Sequence, residues 1–307
     1  MAETMVEETL LTEDGHPKKQ PERWLDKILS KIPLERFQNP PPVVAVLRLS
    51  GVIGQIGAYR QGLTLSEMEE EIKAAFEPRR NLKAVVLAVN SPGGSPVQSE
   101  LISKRIRALS EAKEIPVVAF VEDVAASGGY WLACTGDEIY ASRSSIVGSI
   151  GVIAAGFGFV DAIKKLGIER RVYTQGENKS ILDPFKPKKD SDIAIVKTAQ
   201  KDIHEAFKQL VRERRKDKLK GDEEKLFSGE FWSGQQALDL GLIDGINDMY
   251  SLMQERYGEE VKFRKVQSRK GWLQRKLGFL GSSFSTSIAH ALANVIEERS
   301  LWGRFGR

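Results

Sequence analysis

Ser127 stands in the stretch VAASGGYWLA, with Ala126 before it and Gly128 and Gly129 after it, immediately ahead of an apolar run with helical character. A serine hydroxyl becomes a nucleophile when a base takes its proton and nearby donors hold the oxyanion that its attack creates. Small flanking residues leave room for a substrate carbonyl. The backbone N–H of Gly128, at the start of a helix, is a natural oxyanion donor. A serine that simply caps the helix fits the same position, and by residue type alone both readings stand. The G-x-S-x-G frame of the α/β-hydrolase elbow is absent. A second stretch, Asn90-Ser91-Pro92-Gly93-Gly94, joins a fixed proline torsion to two glycines that tolerate positive φ. Such a loop can turn sharply at a strand end and aim an N–H into a cleft. A plain structural turn has the same composition.

A serine nucleophile needs a base. The three histidines are His16 in a polar head, His204 within a long charged helix and His290 in the tail. All three fall in peripheral segments, so a histidine-based triad is not expected. Lysine serves instead when it is withdrawn from water, because its ordinary pKa of about 10.4 leaves it protonated at neutral pH. Residue type does not choose among the lysines; Lys179 is distinguished only by following a glycine-containing loop after a late strand. Cys134, seven residues beyond Ser127, reads as a small buried hydrophobe.

The surrounding elements must bring the two glycine loops together. VVAVLRLSGVIG, LKAVVLAVNSPGGS and IPVVAFVED are near-continuous apolar strands, separated by helices over Ser66–Phe76 and within VQSELISKRIRALSEA. That alternation predicts a mostly parallel sheet covered by helices, with its site beyond the strand C-termini, where both glycine loops emerge. Further strands are expected at Glu138–Ala141, Ile150–Ala154, Glu169–Thr174 and Val261–Val266. Helices are expected over Ser191–Lys216 and Met249–Arg256. In FWSGQQALDLGLIDGI, Ser233 reads as an N-cap and Gly241 as a C-terminal stop. Small and apolar residues around both loops, and IAAGFGF after Ser149, suit either a pocket for small apolar side chains or a packed core.

The 307 residues are 41% hydrophobic and 29% charged, a globular composition. The net charge of +4 is uneven: from Lys262 onward there are ten Lys or Arg against two acids. That basic end suits an acidic partner, a phosphate-bearing surface or mere solvation. Nucleic acid is not the expected partner. A single cysteine excludes an intrachain disulfide and fits a reducing compartment. Neither a secretory signal nor a run long enough to span a bilayer is apparent, so a cytoplasmic location, at most peripheral to a membrane, is expected. The expected division is a head with an amphipathic helix over residues 1–40, a compact domain over 41–266, and a basic arm with an amphipathic helix over 267–307.

The ordered set NSPGGS, VAASGGYWLA, SIVGSIGVI, GENKSIL and FWSGQQALDLGLIDGI resembles the signal peptide peptidase A family, the S49 serine peptidases, and its SohB-like branch in particular. The resemblance runs from about Val43 to Val266. It implies an α/β fold of ClpP/crotonase type, a superhelix of repeated beta-beta-alpha units. By position it implies Ser127 as nucleophile and Lys179 as general base, with Gly94 and Gly128 as oxyanion donors. Ser149 matches the serine that orients the lysine. Also implied are a peptide or unfolded-protein substrate, such as signal-peptide remnants, assembly into a homo-oligomeric ring or dome, and chemistry that requires no cofactor or metal. Family members commonly carry an N-terminal membrane anchor, and this sequence shows none. Two other readings remain. One is crotonase-type acyl-CoA chemistry, which would not need Ser127 or Lys179. The other is a membrane-associated scaffold that keeps the peptidase architecture.

Overall fold

The computed structural model describes residues 39–56, 60–266 and 302–305. Three long strands form its centre: β1 (Val43–Ser50), then, after a short hairpin of β2 (Gln55–Ile56) and β3 (Arg60–Gln61), β4 (Leu82–Ser91) and β5 (Val117–Ala126). Each pairs in parallel with the next, with Val46 beside Val86 and Val86 beside Val118. Valine, leucine and alanine fill consecutive positions because both faces of the sheet are covered. Strands β6 (Glu138–Ala141), β7 (Ile146–Gly148), β8 (Phe231–Ser233), β9 (Gly245–Ile246) and β10 (Lys262–Lys265) complete it. The main order is β10-β1-β4-β5-β6-β9, while β7 pairs with the last residues of β5 and, antiparallel, with β8. The two partners of β5 diverge: β6 follows its first half and β7 its final three residues. That fork carries Gly148 to the end of β5, where the chain turns at Ser127.

The helices are α1 (Leu65–Ala75), α2 (Pro96–Lys113), α3 (Gly128–Ala133), α4 (Val160–Lys165), α5 (Asp190–Arg215), α6 (Glu223–Leu226), α7 (Gly234–Asp239) and α8 (Met249–Tyr257). Thr64 caps α1 by accepting from the Glu67 N–H, and Ser95 caps α2 ahead of its first-turn proline. At α7 the Ser233 hydroxyl and the Gln236 side chain form a reciprocal capping box. Gly241 follows with φ of 73°, as its reading as a stop requires. On one face of the sheet Leu47, Leu87 and Val89 pack with Ile72, Ile102, Leu132, Phe207 and Val211; on the other Val46, Val86 and Phe120 pack with Leu252 and Met253. This mixed α/β architecture is consistent with the ClpP-type fold.

Helix α5 is held over α3 at both ends of its buried stripe. Phe207 meets Trp131 with ring centroids 5.1 Å apart. Arg215, 2% exposed, bonds Asp244 through both terminal nitrogens (2.6 and 3.2 Å) and the Gly241 carbonyl through Nε (3.0 Å). Lys218 reaches the same carboxylate at 2.6 Å, and the buried Tyr130 hydroxyl donates to the Leu242 carbonyl at 2.7 Å.

Two expected strands do not form. Residues 150–154 and 169–174 run without strand pairing, and most of the second segment is exposed. A strand exists only through its partner, and among the described residues none lies at either place. The expected head and the basic arm lie outside the described residues, apart from 39–40 and 302–305.

Candidate active site

The turn from β5 into α3 is made by Ser127 itself, with φ 53° and ψ −123°. A residue with a Cβ rarely adopts this conformation, and holding it costs about 1–3 kcal/mol. Three backbone bonds impose it: Ser127 N–H to the Gly148 carbonyl (2.8 Å), and Tyr130 and Trp131 N–H to the Ser127 carbonyl (2.9 and 3.0 Å). The hydroxyl makes no capping bond to α3, so the N-cap reading of Ser127 is not realised. The strand-to-helix turn instead presents a half-buried serine without a G-x-S-x-G frame.

The other glycine loop lies directly on this elbow. At Gly93, φ is 102°, and a Cβ would come within 2.8 Å of the Ser127 Cβ and 2.9 Å of the Gly128 nitrogen. Only a residue without a side chain permits that approach. Gly94, at φ 144°, is pinned to Ile53: the Ile53 N–H donates to Gly93 (2.9 Å) and the Ser95 N–H donates back to Ile53 (2.8 Å). Among the described residues, neither the Gly94 N–H nor the Gly128 N–H has a hydrogen-bond acceptor. Both residues line one cleft with Ser127, bounded by Pro96, Trp131, Gly151, Val152, Ile203 and Phe207. Two uncommitted donors beside a strained serine are what stabilisation of a tetrahedral oxyanion demands.

Ser149 is buried, at φ 52°, and directly follows Gly148, whose carbonyl receives the Ser127 N–H. Its own N–H donates to the Glu230 carbonyl at 2.7 Å. Lys179 is elsewhere in the single chain: its side chain is exposed on a turn closed by its N–H to the Gly176 carbonyl (3.2 Å), and it does not line the cleft. It belongs to a projecting arm, residues 153–189, organised by its own contacts. Phe159 stacks between Phe157 and Phe185 (6.3 and 5.6 Å between centroids), and Arg170 pairs with Asp183 at 3.2 Å.

The expectation that His204 is peripheral is corrected. Although α5 is charged along its outer side, His204 turns toward the cleft wall, with Nε2 3.1 Å from the Ile150 carbonyl oxygen. The sequence signal was its place one residue after Ile203 and three before Phe207, on the apolar side of the helix. Cys134 is wholly buried, and burial pushes its thiol up to about 11. It is the small core residue expected. A wider cleft, of about 660 Å³, opens near the ends of β1, β4 and β5. There Arg48 pairs with Glu122 at 2.6 Å and Asn90 donates to Asp123 at 2.8 Å.

Residues 110–261 match the model of peptidase family S49. The "Probable protease SohB" of Haemophilus influenzae is 30% identical over 227 residues, covering 73% of this chain and 62% of that protein. "Protease 4" of the same organism is 32% identical over 226 residues, 72% of this chain and 35% of that one. A Brucella melitensis protein named "Na(+)/H(+) antiporter NhaA" is 45% identical over 291 residues, 92% of this chain. The chain spans 39% of that protein's length, and the transport in its name is said of that protein alone. The solved structure of a mutant of the "1510-N membrane-bound stomatin-specific protease" aligns over 75% of this chain and 100% of its own, at 16% identity and a TM-score of 0.48. That likeness is too loose to assign residues by. The family-model match and the similarity to SohB and protease 4 make the chain a member of peptidase family S49, on its SohB-like side.

Proposed function

We propose that this protein is a serine endopeptidase that cleaves unstructured polypeptides, signal-peptide remnants among them, with Ser127 as nucleophile and Lys179 as general base. The observation that carries the reading is the elbow: a serine held at φ 53° whose hydroxyl caps nothing, beside two N–H groups with no acceptor among the described residues. Ser127 Oγ attacks the scissile carbonyl while neutral Lys179 takes its proton. The Gly94 and Gly128 N–H groups hold the oxyanion, and the lysine passes the proton to the departing amine. Water, deprotonated by the same lysine, then hydrolyses the acyl-enzyme. Ser149, next to the elbow through Gly148, orients the lysine.

This chemistry requires Lys179 to enter the cleft and leave water. Assembly supplies the means in this proposal: the arm that carries Lys179 exposes Phe157 (79%) and Tyr173 (90%), and its residues 168–174, in neither helix nor strand, have no strand partner among the described residues. A homo-oligomer that buries this arm accounts for both. Among the described residues no helix is long and apolar enough to cross a membrane. The test is hydrolysis of unfolded casein and short apolar fluorogenic peptides by wild type, Ser127→Ala and Lys179→Ala, with assembly followed by light scattering. Loss of activity in both variants at unchanged assembly supports the dyad; activity that survives either substitution removes that residue from its role.

A further inference from the structure

We infer that His204 is a positioning residue for peptide substrates, setting the cleft wall formed by Gly151 and Val152; this rests on the serine-peptidase reading above. The chain leaves β7 through two consecutive positive-φ residues, Gly148 (109°) and Ser149 (52°), and from Ile150 onward has no strand partner among the described residues. Few contacts fix its course. On one side the Ser149 N–H bonds Glu230, and the backbone of Gly151 packs on Gly229, where an added Cβ would meet the Gly229 Cα at 3.1 Å. On the other side stands a side-chain bond, from His204 to the Ile150 carbonyl.

A carbonyl oxygen only accepts, so His204 Nε2 carries the proton and donates it. That commitment leaves Nε2 unable to serve as the base for Ser127 in this arrangement. The ring does something else. It ties α5, whose Ile203 and Phe207 line the cleft, to the segment whose Gly151 and Val152 line it as well. Ile150, the residue held, is fully buried and immediately precedes Gly151. The imidazole therefore sets the width of the cleft along which an extended peptide must lie. A small acylating reagent that needs only Ser127 and its oxyanion donors does not depend on that width.

The full-length chain is compared with His204→Leu, which keeps bulk and loses the donor, and with His204→Gln, whose carboxamide N–H reaches a carbonyl from a similar distance. A third variant, His204→Asn, is polar but shorter. Each is assayed for kcat and KM on peptides, for the rate of Ser127 modification by a fluorophosphonate, and for melting temperature. Loss of one hydrogen bond predicts KM raised about fivefold in the Leu variant with kcat within about twofold, and modification at the wild-type rate. Gln restores KM. If the Leu variant does not fold, the Gln and Asn variants decide: wild-type KM in Gln with raised KM in Asn supports the role, and equal KM in the two overturns it. A Leu variant with wild-type KM, or one slowed equally toward peptide and fluorophosphonate, also overturns it while leaving the peptidase reading intact. A wild type that neither cleaves peptide nor reacts at Ser127 removes that reading, and this inference with it.

Discussion

Gly93→Ala tests whether the two glycine loops form one working unit. The substitution adds one methyl group at φ 102°, a conformation that costs a residue with a Cβ about 1–3 kcal/mol. The new carbon would lie 2.8 Å from the Ser127 Cβ, 2.9 Å from the Ala126 carbonyl oxygen and 2.9 Å from the Gly128 nitrogen, each closer than van der Waals contact allows. All three partners belong to the elbow, which is fixed by the bond from Ser127 to Gly148 and by α3 behind it, so relief requires the loop and the elbow to part by several tenths of an ångström. At about 2–4 °C per kcal/mol for a chain of this size, the strain lowers the melting temperature by roughly 2–12 °C and leaves the protein folded at room temperature. In the proposed mechanism catalysis suffers more, because there Gly94 and Gly128 must both reach one oxyanion; displacement on this scale predicts a fall of about a hundredfold in kcat/KM. The assay is peptide hydrolysis beside circular dichroism and thermal melting. A folded Gly93→Ala protein within about threefold of wild-type kcat/KM would refute the claim that the loops cooperate.

Asp244→Ala strands the buried Arg215 guanidinium and should lower stability by about 3–5 kcal/mol, read from urea unfolding. Burial of Asp244 opposes its ionisation, but hydrogen bonds from Arg215 and Lys218 outweigh it and hold the carboxyl below its ordinary value. A lowered folded-state pKa contributes stability that is complete above the unfolded value of about 3.9 and lost as pH falls through the folded one. Wild type should accordingly lose more stability than Asp244→Asn when acidified below about pH 4; equal losses would discard the assignment. Tyr130→Phe leaves the Leu242 carbonyl without its donor and should cost about 1–3 kcal/mol, by the same unfolding measurement. Cys134, buried and with its thiol raised to about 11, should resist a thiol reagent in native protein and react at once in denaturant.

The central strands were legible because burial on both faces demands uninterrupted valine, leucine and alanine, and β1, β4 and β5 carry that pattern. Ser233 was legible as an N-cap, and the structure adds its reciprocal partner, the Gln236 side chain. What spacing could not show is contact across the chain: Gly93 is 34 residues from Ser127, and nothing local reveals that its missing side chain is the condition for their approach. Charge along α5 concealed both Arg215, which turns inward to Asp244, and His204, which turns inward to Ile150. The strand expected at Glu169–Thr174 has suitable residues but no partner among the described residues. Ser127 itself was left between cap and nucleophile by residue type; its hydroxyl makes no capping bond to α3, and the nucleophilic role is the proposal that labelling tests.

The most direct test is to treat the purified protein with a fluorophosphonate, digest it and locate the adduct by mass spectrometry, in wild type and in Lys179→Ala. The account predicts one adduct, on Ser127, formed rapidly in wild type and slowed in the variant by about a hundredfold or more. An adduct on another serine, or none at Ser127 while peptide is still being cleaved, would contradict it.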